Sequence, residues 1–573
     1  MKKIRIISLL MVLAMILVLF AACGTSTPEA TKAPEATKAP EQTKAPESTK
    51  QPDEPEADPK EIQFPLCDEV TDLSMFFLWD QGLAGNYTAS TADFEGFAWL
   101  EEQSNVHIDF IEINNTVFTD QFNITLASDD LPDMMMRFAS TYKSGVEHAI
   151  SEGIILDLTD KLEEYAPNYK AVLDADDDLR KGLTTDSGLM GVFYPCFSEP
   201  LPGPIQGLAI RQDWLDSLNM DVPVTLDDME KVMEAFMTEK GAEFGIMMGQ
   251  YGILPMNQIL SAWNVYGVFD TSQKPFYLDG STVKCTLTSD EYKEYLTLLN
   301  EWYEKGFISS DFTSWNGLDH MAHNPLYTPA ITTGQTGVFN IMTSPMRTYP
   351  SQCTEEGAKF TALSDPVLKK GDKIEVGRPN NNIRYENTGV AITTDCENWE
   401  LAMRWLDWFY TDEGAIFNQC GLQGITWDYD DKGEVWWTDL YLNPPEGVTG
   451  ANILYHYAVG TITWGVSLKN EMDRKVYERQ GDVAYEARLN WGKGIGYSKS
   501  IPTGATFDVE EGEIWNKYVG DVQTYWQESA PRFITGEKPI EEYDEFVDTL
   551  INTLNIGEMT AVVQSAYDRY MAK

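Results

Sequence analysis

The sequence contains few basic residues and no long run of them. Across 573 residues there are 42 Lys and Arg against 90 Asp and Glu, a formal net charge of -48, and only 5 His. Such a charge repels a phosphate backbone, and no stretch of Lys and Arg is long enough to bind one. Nucleic-acid binding is therefore not expected.

Signatures of nucleotide-binding, hydrolytic and metal sites are also missing. The chain has no G-x-x-x-x-G-K-[ST] loop, no G-x-S-x-G turn and no CxxC pair. His320 and His323 have no third metal ligand nearby in the sequence, and an acidic stretch from Asp174 has Leu179 where a calcium-binding EF-hand needs Gly. We therefore expect no catalytic residue, no cofactor and no bound metal.

Only the first 22 residues contain a long apolar run. A positively charged start is followed by apolar residues 6–22, broken only by Ser8, which is typical of a secretory signal peptide. The run ends in Phe20-Ala-Ala-Cys23, which resembles a bacterial lipobox with Phe20 where Leu is usual. This pattern predicts that Cys23 is lipidated and that the protein is anchored outside a cell membrane. Ordinary cleavage, with Cys23 left as a bystander thiol, is the alternative.

Residues 23–60 contain a six-residue repeat, Thr-Lys-Ala-Pro-Glu-x, that starts at Thr31, Thr37 and Thr43 and varies at Thr49. A proline in each repeat disfavours helix and sheet, and the alternating charges keep the segment solvated. We expect a disordered tether with polyproline-II character, reaching about 3.1 Å per residue.

The rest of the chain alternates strand and helix patterns. Continuous apolar residues at 75–79 and alternating ones at 106–110 predict two strands. Apolar residues at helical spacing predict helices over 229–236, 292–299 and 402–409, each behind a Thr-x-x-Asp/Glu cap signal, and a final helix over 543–550. Residues 430–433 predict a hairpin turn. This alternation predicts an α/β fold with largely parallel sheets.

Several segments in a fixed order resemble extracellular solute-binding proteins of family 1, which include maltose-binding proteins. Each motif is weak alone, but the ordered set spans about residues 70–570 and is most similar to the long Firmicutes lipoproteins of carbohydrate ABC importers. The segments include FAWLEEQSNVHID at 97–109, LASDDLPD at 126–133, GIILDLTD at 153–160, IRQDWLDSL at 210–218, RWLDWFYTDEG at 404–414, FITG at 533–536 and AYDRY at 566–570.

This resemblance implies a two-lobed, periplasmic-binding-protein-like (type II) fold with a hinge. After a signal peptide at 1–22 and a lipid-anchored tether at 23–60, lobe 1 is expected over residues 61–204 plus about 388–430. Lobe 2 is expected over about 205–387 plus 431–573. The implied function is capture of an oligosaccharide between the lobes for an ABC permease. The protein is expected to be a monomer that is lipid-anchored on the outer side of the cell membrane of a Gram-positive bacterium.

The resemblance also implies that ligand-binding residues lie on loops that face the cleft. Trp rings stack on the apolar faces of sugars, and carboxylate, amide and guanidinium groups bind hydroxyls. The candidates are Trp79, Asp80, Arg137, Glu199, Asn257, Trp263, Asn340 and Trp427.

Two alternatives remain open at this stage. A surface-tethered polysaccharide-degrading enzyme would also have an anchor, a spacer and aromatic residues, but no paired-carboxylate signature is recognisable. A receptor of the same fold could carry a peptide or another solute. The sequence leaves open which sugar is bound, whether it is acidic, and whether the remaining six cysteines form disulfides.

Overall fold

The computed structural model describes residues 62–79, 88–128, 130–197, 203–204, 206–249, 258–267, 274–314, 327–376, 385, 388–458, 468–469 and 483–573. Its strands are β1 (Thr71–Trp79), β2 (Val106–Asn114), β3 (Met134–Met136), β4 (Cys196–Phe197), β5 (Gln206–Arg211), β6 (Phe276–Asp279), β7 (Thr282–Cys285), β8 (Val338–Met342), β9 (Phe360–Ala362), β10 (Val390–Ile392), β11 (Trp427–Tyr429), β12 (Val435–Trp437) and β13 (Leu468–Lys469).

The α-helices in the described residues are α1 (Glu95–Ser104), α2 (Phe118–Leu126), α3 (Phe138–Thr141), α4 (Val146–Ser151), α5 (Leu162–Tyr165), α6 (Pro167–Asp174), α7 (Asp177–Leu183), α8 (Gln212–Leu218), α9 (Leu226–Lys240), α10 (Asp290–Glu304), α11 (Tyr327–Thr332), α12 (Thr343–Gln352), α13 (Trp399–Trp408), α14 (Asp412–Cys420), α15 (Asp439–Leu442), α16 (Gly450–Tyr457), α17 (Val483–Gly492), α18 (Val509–Ile534), α19 (Tyr543–Asn552) and α20 (Ile556–Ala572).

Strand β1 lies inside a four-stranded sheet with the order β10-β3-β1-β2. Strands β2 and β3 run parallel to β1, and β10 runs antiparallel to β3. Residues 75–79 of β1 are all buried, as expected for a strand of a parallel sheet that is covered on both faces. Both strands predicted from the sequence in this region are therefore present.

Strand β5 is the centre of a second sheet with the order β8-β5-β9, and every residue of β5 is buried. Both pairings are antiparallel, so the expectation of largely parallel sheets is wrong for this sheet. Alternating strands and helices predict layers of structure. They do not predict the direction in which β8 returns after residues 212–337.

The predicted helices are present, but their cap signals were not equally informative. Thr225 and Asp228 form the predicted capping box of α9. The cap of α10 is Ser289 instead of Thr288. Helix α13 begins only after Asn398, and the Thr394 hydroxyl donates to the Gly153 carbonyl instead of capping a helix. The helix expected to be final, α19, is followed by α20.

Buried hydrophobic side chains form two large clusters. The first core combines residues from 73–196 with residues from 390–457 and contains the first sheet. The second core combines residues from 208–376 with residues from 522–567, and a smaller cluster that includes Trp491 packs beside it on the second sheet. The chain therefore passes between the cores three times, after residues 196, 376 and 457.

Helix α16 belongs to the first core, to which it contributes Ile453, Tyr455 and Tyr457. Its end lies so close to α1 that a Cβ added at Gly96 would be 2.4 Å from the Tyr457 carbonyl oxygen. On this packing we propose that lobe 1 continues to about residue 458, beyond the sequence-based limit near 430.

The three connecting stretches of chain meet at Cys196. This residue pairs in parallel with Leu468 of β13 and forms an antiparallel bridge with Tyr385. One residue from the first stretch is thus bonded through the backbone to residues of the second and third.

The two cores also meet where α7 of the first lies against the loop before α18 of the second. A Cβ added at Gly504 would be 3.0 Å from Gly182 Cα and 2.6 Å from the Tyr570 ring, and one added at Gly182 would be 2.7 Å from the Tyr385 ring. We call this contact the Gly182–Gly504 junction.

Charged residues of α20 bind across the same junction. The Arg569 guanidinium binds both oxygens of Glu511 at 2.6 and 2.7 Å, and its Nε contacts Asp186 of the first core. Lys573 also binds Asp186 at 2.9 Å. The last helix of the second core is therefore tied to the first core by ion pairs.

Candidate functional site

The carboxyl ends of the first sheet bring two of the predicted residues to one edge. Strand β1 ends at Trp79, and β3 ends at Met136, directly before Arg137. Because β1 and β3 are parallel neighbours, both ends lie at the same edge, where open α/β sheets bind ligands. Strand β10 runs the other way, so the residues that precede it also reach this edge.

Trp79 is held in an aromatic cluster at this edge. Its side chain is 6% exposed, and its ring lies 5.7 Å from the Tyr455 ring and 5.5 Å from the Phe94 ring. Tyr455 and Phe94 also contact each other at 5.5 Å. Trp79 is therefore packed against other aromatic rings, and little of its surface is open.

Arg137 is the first residue after β3 and has left-handed backbone angles, with φ of 57°. Its half-buried side chain follows three fully buried methionines. The next two N–H groups, of Phe138 and Ala139, donate to the carbonyls of Gly389 and Thr388 at 3.2 and 3.1 Å. These bonds fix the position of Arg137 next to the start of β10.

Two predicted residues belong to the second core. Asn340 lies on β8 and is 7% exposed. With its amide turned so that both atoms are satisfied, it donates to the Gly207 carbonyl at 3.2 Å and accepts from the Ile341 N–H at 3.1 Å. Trp263 ends a short 3-10 turn and donates its indole N–H to Glu294 at 2.8 Å. Both side chains are bonded to the protein itself.

Trp427 begins the β11–β12 hairpin that the sequence predicted. It is 6% exposed, pairs with Trp437 across the hairpin, and donates its indole N–H to the Gly421 carbonyl at 2.9 Å. It therefore packs inside a small cluster that joins the hairpin to α16.

The structure thus places Trp79 and Arg137 at one sheet edge, and Asn340, Trp263 and Trp427 elsewhere. Four predicted residues lie outside the described residues: Cys23, Asp80, Glu199 and Asn257.

Sequence reasoning missed residues that complete the first edge. Tyr455 contacts Trp79 from a helix far away in the chain, and no local pattern signals that contact. Thr388 lies two residues before β10 and was not among the predicted residues. Its hydroxyl is buried and has no hydrogen-bond partner among the described residues.

A buried polar group where the chain enters the second core was also missed. Gln258 accepts from the Leu208 N–H of β5 and donates to Asp365 at 2.7 Å. Ser261 donates to the same carboxylate at 3.2 Å. These bonds fix the start of β5 although Asp365 is about a hundred residues from Gln258 in the chain.

The acidic stretch at Asp174 is occupied by cations of the protein. Asp174 binds Lys170 at 2.7 Å and also contacts Arg180. Within the described residues, no group of three His, Cys, Asp or Glu side chains is placed to hold a metal ion. In the same part of the chain, no helix is long and apolar enough to cross a membrane.

No protein-family model matches the chain. It is 26% identical over 351 residues to the fructooligosaccharide ABC transporter substrate-binding protein FusA of Streptococcus pneumoniae, covering 58% of this chain and 60% of FusA. It is also 26% identical over 214 residues to the polygalacturonan/rhamnogalacturonan-binding protein YtcQ of Bacillus subtilis, covering 37% and 41%. The chain is related to ABC-transporter substrate-binding proteins.

A solved structure shows that the likeness extends to the fold. A solute-binding protein of Bifidobacterium longum infantis, described as HMO-binding and ABC-transporter-associated, superimposes with a TM-score of 0.69 at 19% identity, over 88% of this chain and 99% of that one. The predicted two-lobed solute-binding-protein fold is therefore confirmed. The two cores and the three connecting stretches agree with it. The sequence matches span about 60% of FusA and 41% of YtcQ.

Proposed function

We propose that this protein is the lipid-anchored extracellular receptor of an ABC importer and that it captures an oligosaccharide between its two lobes. The observation that carries the proposal is the match to FusA, whose name gives both a carbohydrate ligand and an ABC transporter. The meeting of three connecting stretches at Cys196 supports a hinge, since closure around a ligand needs two rigid bodies with a shared connection.

The ligand is proposed to lie against the first sheet at the edge that carries Arg137. The predicted residues Asp80, Glu199 and Asn257 remain proposed contacts. Trp79 would shape the wall at this edge more than it touches the sugar, and Asn340, Trp427 and Trp263 are proposed not to contact the sugar directly. The amide of Asn340 and the indole N–H groups of Trp427 and Trp263 are hydrogen-bonded to other parts of the protein.

Binding without turnover tests this function. The full chain is incubated with a panel of oligosaccharides and of peptides, and the melting temperature and the composition of the mixture are measured. A true ligand stabilises the folded state by mass action, by about 2.7 kcal/mol at a hundred times its dissociation constant. We expect a shift with at least one oligosaccharide and none with peptides, and no change in the sugars. A shift with peptides alone, or steady release of shorter sugars, would refute the proposal.

The anchor is tested with two single substitutions of cysteine. Cys23→Ser removes the proposed lipidation site, whereas Cys67→Ser removes a half-buried thiol that lies 3.3 Å from the Asn105 carbonyl. We expect the Cys23 variant to leave the membrane fraction and the Cys67 variant to remain there. Equal retention of both variants would exclude Cys23 as the anchor.

A further inference from the structure

Arg137 has no partner for its guanidinium in the described part of the chain: no hydrogen bond, ion pair or ring contact involves it. Six other arginines in these residues each contact a carboxylate, a carbonyl or an aromatic ring, namely Arg180, Arg211, Arg404, Arg488, Arg532 and Arg569.

Such a lone arginine is unexpected in this composition. The chain has 90 acidic residues for 42 basic ones, so a carboxylate is readily available to most cations. A guanidinium presents five N–H donors, and partial burial removes some of the water that would otherwise satisfy them. A bound ligand that offers acceptor atoms would satisfy these donors in place of water.

The backbone of Arg137 points to the same conclusion. A φ of 57° is disfavoured for a residue with a side chain and is usually taken by Gly, at a cost of about 1 kcal/mol. Hydrogen bonds from the next two residues to Thr388 and Gly389 hold this conformation. Strain that the surroundings maintain at a sheet edge is a feature of ligand-binding sites.

The neighbours of Arg137 suit a sugar, and the guanidinium itself suits a charged one. The Thr388 hydroxyl is buried without a partner among the described residues, and the backbone of Thr388 is bonded to that of Ala139, two positions after Arg137. Trp79 and its aromatic cluster lie at the same edge. A planar guanidinium binds a carboxylate through two parallel hydrogen bonds, whereas a neutral hydroxyl uses only one.

We infer that the ligand is an acidic oligosaccharide, with uronic-acid units, and that Arg137 selects it by pairing with a carboxylate. The inference rests on the proposed function and makes it more specific. The net charge of the protein opposes an anionic ligand at long range, but salt screens that repulsion beyond about 8 Å. Recognition therefore depends on a cation in direct contact with the ligand.

The test compares ligands that differ only in charge. Oligogalacturonates, their methyl esters, sulfated galactan oligosaccharides and neutral galactan oligosaccharides of matched length are titrated calorimetrically into the full chain. The variants are Arg137→Gln, which removes the charge, and Arg137→Lys, which keeps it but loses the planar fork. Arg532→Gln is the matched control, because Arg532 belongs to an exposed ion pair with Glu537 of the second core's C-terminal part.

We expect the wild type to prefer the oligogalacturonate over its methyl ester by at least tenfold. Arg137→Gln should lose ten- to a hundredfold for the acid and less than threefold for the ester, with Arg137→Lys between and Arg532→Gln unchanged. Equal affinity of the wild type for acid and ester, or equal losses for both in Arg137→Gln, would overturn the inference. Binding of the sulfated ligand alone would overturn the carboxylate assignment.

The outcomes also separate this inference from the proposed function. Tight binding of a neutral oligosaccharide, unaffected by Arg137→Gln, leaves the receptor function standing and refutes the acidic ligand. Binding of no oligosaccharide of any class refutes the function and the inference together. Unfolding of Arg137→Gln would be visible in its ligand-free melting curve, and Arg137→Lys then provides the comparison.

Discussion

Gly504→Ala tests whether the two cores depend on a contact that only glycine permits. Gly504 has no positive φ, so alanine would fit its backbone. The added methyl group, however, would lie 2.6 Å from the Tyr570 ring and 3.0 Å from Gly182 Cα. The ring can turn, but the backbone of α7 cannot move without shifting the first core.

The expected loss follows from two opposing terms. Forcing an extra methyl group into a packed contact destabilises a protein by roughly 1–3 kcal/mol. Replacing Gly by Ala restricts the unfolded chain, which stabilises the folded state by about 0.4–1 kcal/mol. We therefore expect a net destabilisation of about 1–2 kcal/mol.

Gly512→Ala is the matched control. Gly512 lies in α18, and no atom is within 4 Å of the Cβ that alanine would add. Because Ala has the higher helix propensity, this change should stabilise the protein by up to about 1 kcal/mol. The same substitution at two positions eight residues apart should therefore change the stability of the protein in opposite directions.

Urea unfolding followed by tryptophan fluorescence measures the difference. The midpoint should fall for Gly504→Ala and rise for Gly512→Ala. If Gly504→Ala is as stable as Gly512→Ala, the two cores can move apart at this contact without loss of stability. The close approach then makes no contribution to the free energy of unfolding.

Two further predictions concern buried carboxylates. Arg569→Gln should destabilise the protein by roughly 2 kcal/mol at pH 7, because Glu511 keeps a nearly buried carboxylate without its bidentate partner. Burial acts to raise the pKa of Glu511, but bonds from Arg569 hold that pKa below its usual value. The stability difference between wild type and variant, measured by urea titration, should therefore shrink as the pH falls below about 4. A difference that stays constant with pH would contradict this account. Burial raises the pKa of Asp407 to about 6, against hydrogen bonds from Asn168 and Tyr169 that lower it. Because this lies above the unfolded value of about 3.9, the contribution of Asp407 is most favourable below pH 4 and is lost as the pH rises through 6, on the order of 3 kcal/mol. Asp407→Asn should flatten the dependence of the urea midpoint on pH between 4 and 6, and an unchanged slope would show that another group is responsible.

Local patterns in the sequence predicted local structure well. The buried run of β1, the capping box at Thr225 and the turn of the β11–β12 hairpin each depend on residues a few positions apart. These predictions were correct because both interacting residues lie in the same short stretch of chain. The two-lobed fold came from an ordered set of motifs, which no single stretch would have provided.

Features that depend on distant partners were not predictable. The antiparallel direction of β8 and the contact of Tyr455 with Trp79 are set by how the chain returns to the sheet. For the candidate site, Arg137 could be proposed from its place after a strand. That no described residue pairs with its guanidinium could be recognised only when the surroundings of its side chain were known.

The division of the first core between two stretches of chain has a consequence for how the protein matures. Strand β10 pairs with β3, and the Asp407 carboxylate accepts N–H bonds from Asn168 and Tyr169 at the start of α6, more than two hundred positions earlier. Residues 73–196 alone therefore leave one strand position of their sheet unfilled and the first turn of a helix without its acceptor. The first core can therefore be completed only after residues 390–457 have been synthesised, so this lobe is not expected to fold stepwise from its N-terminal end.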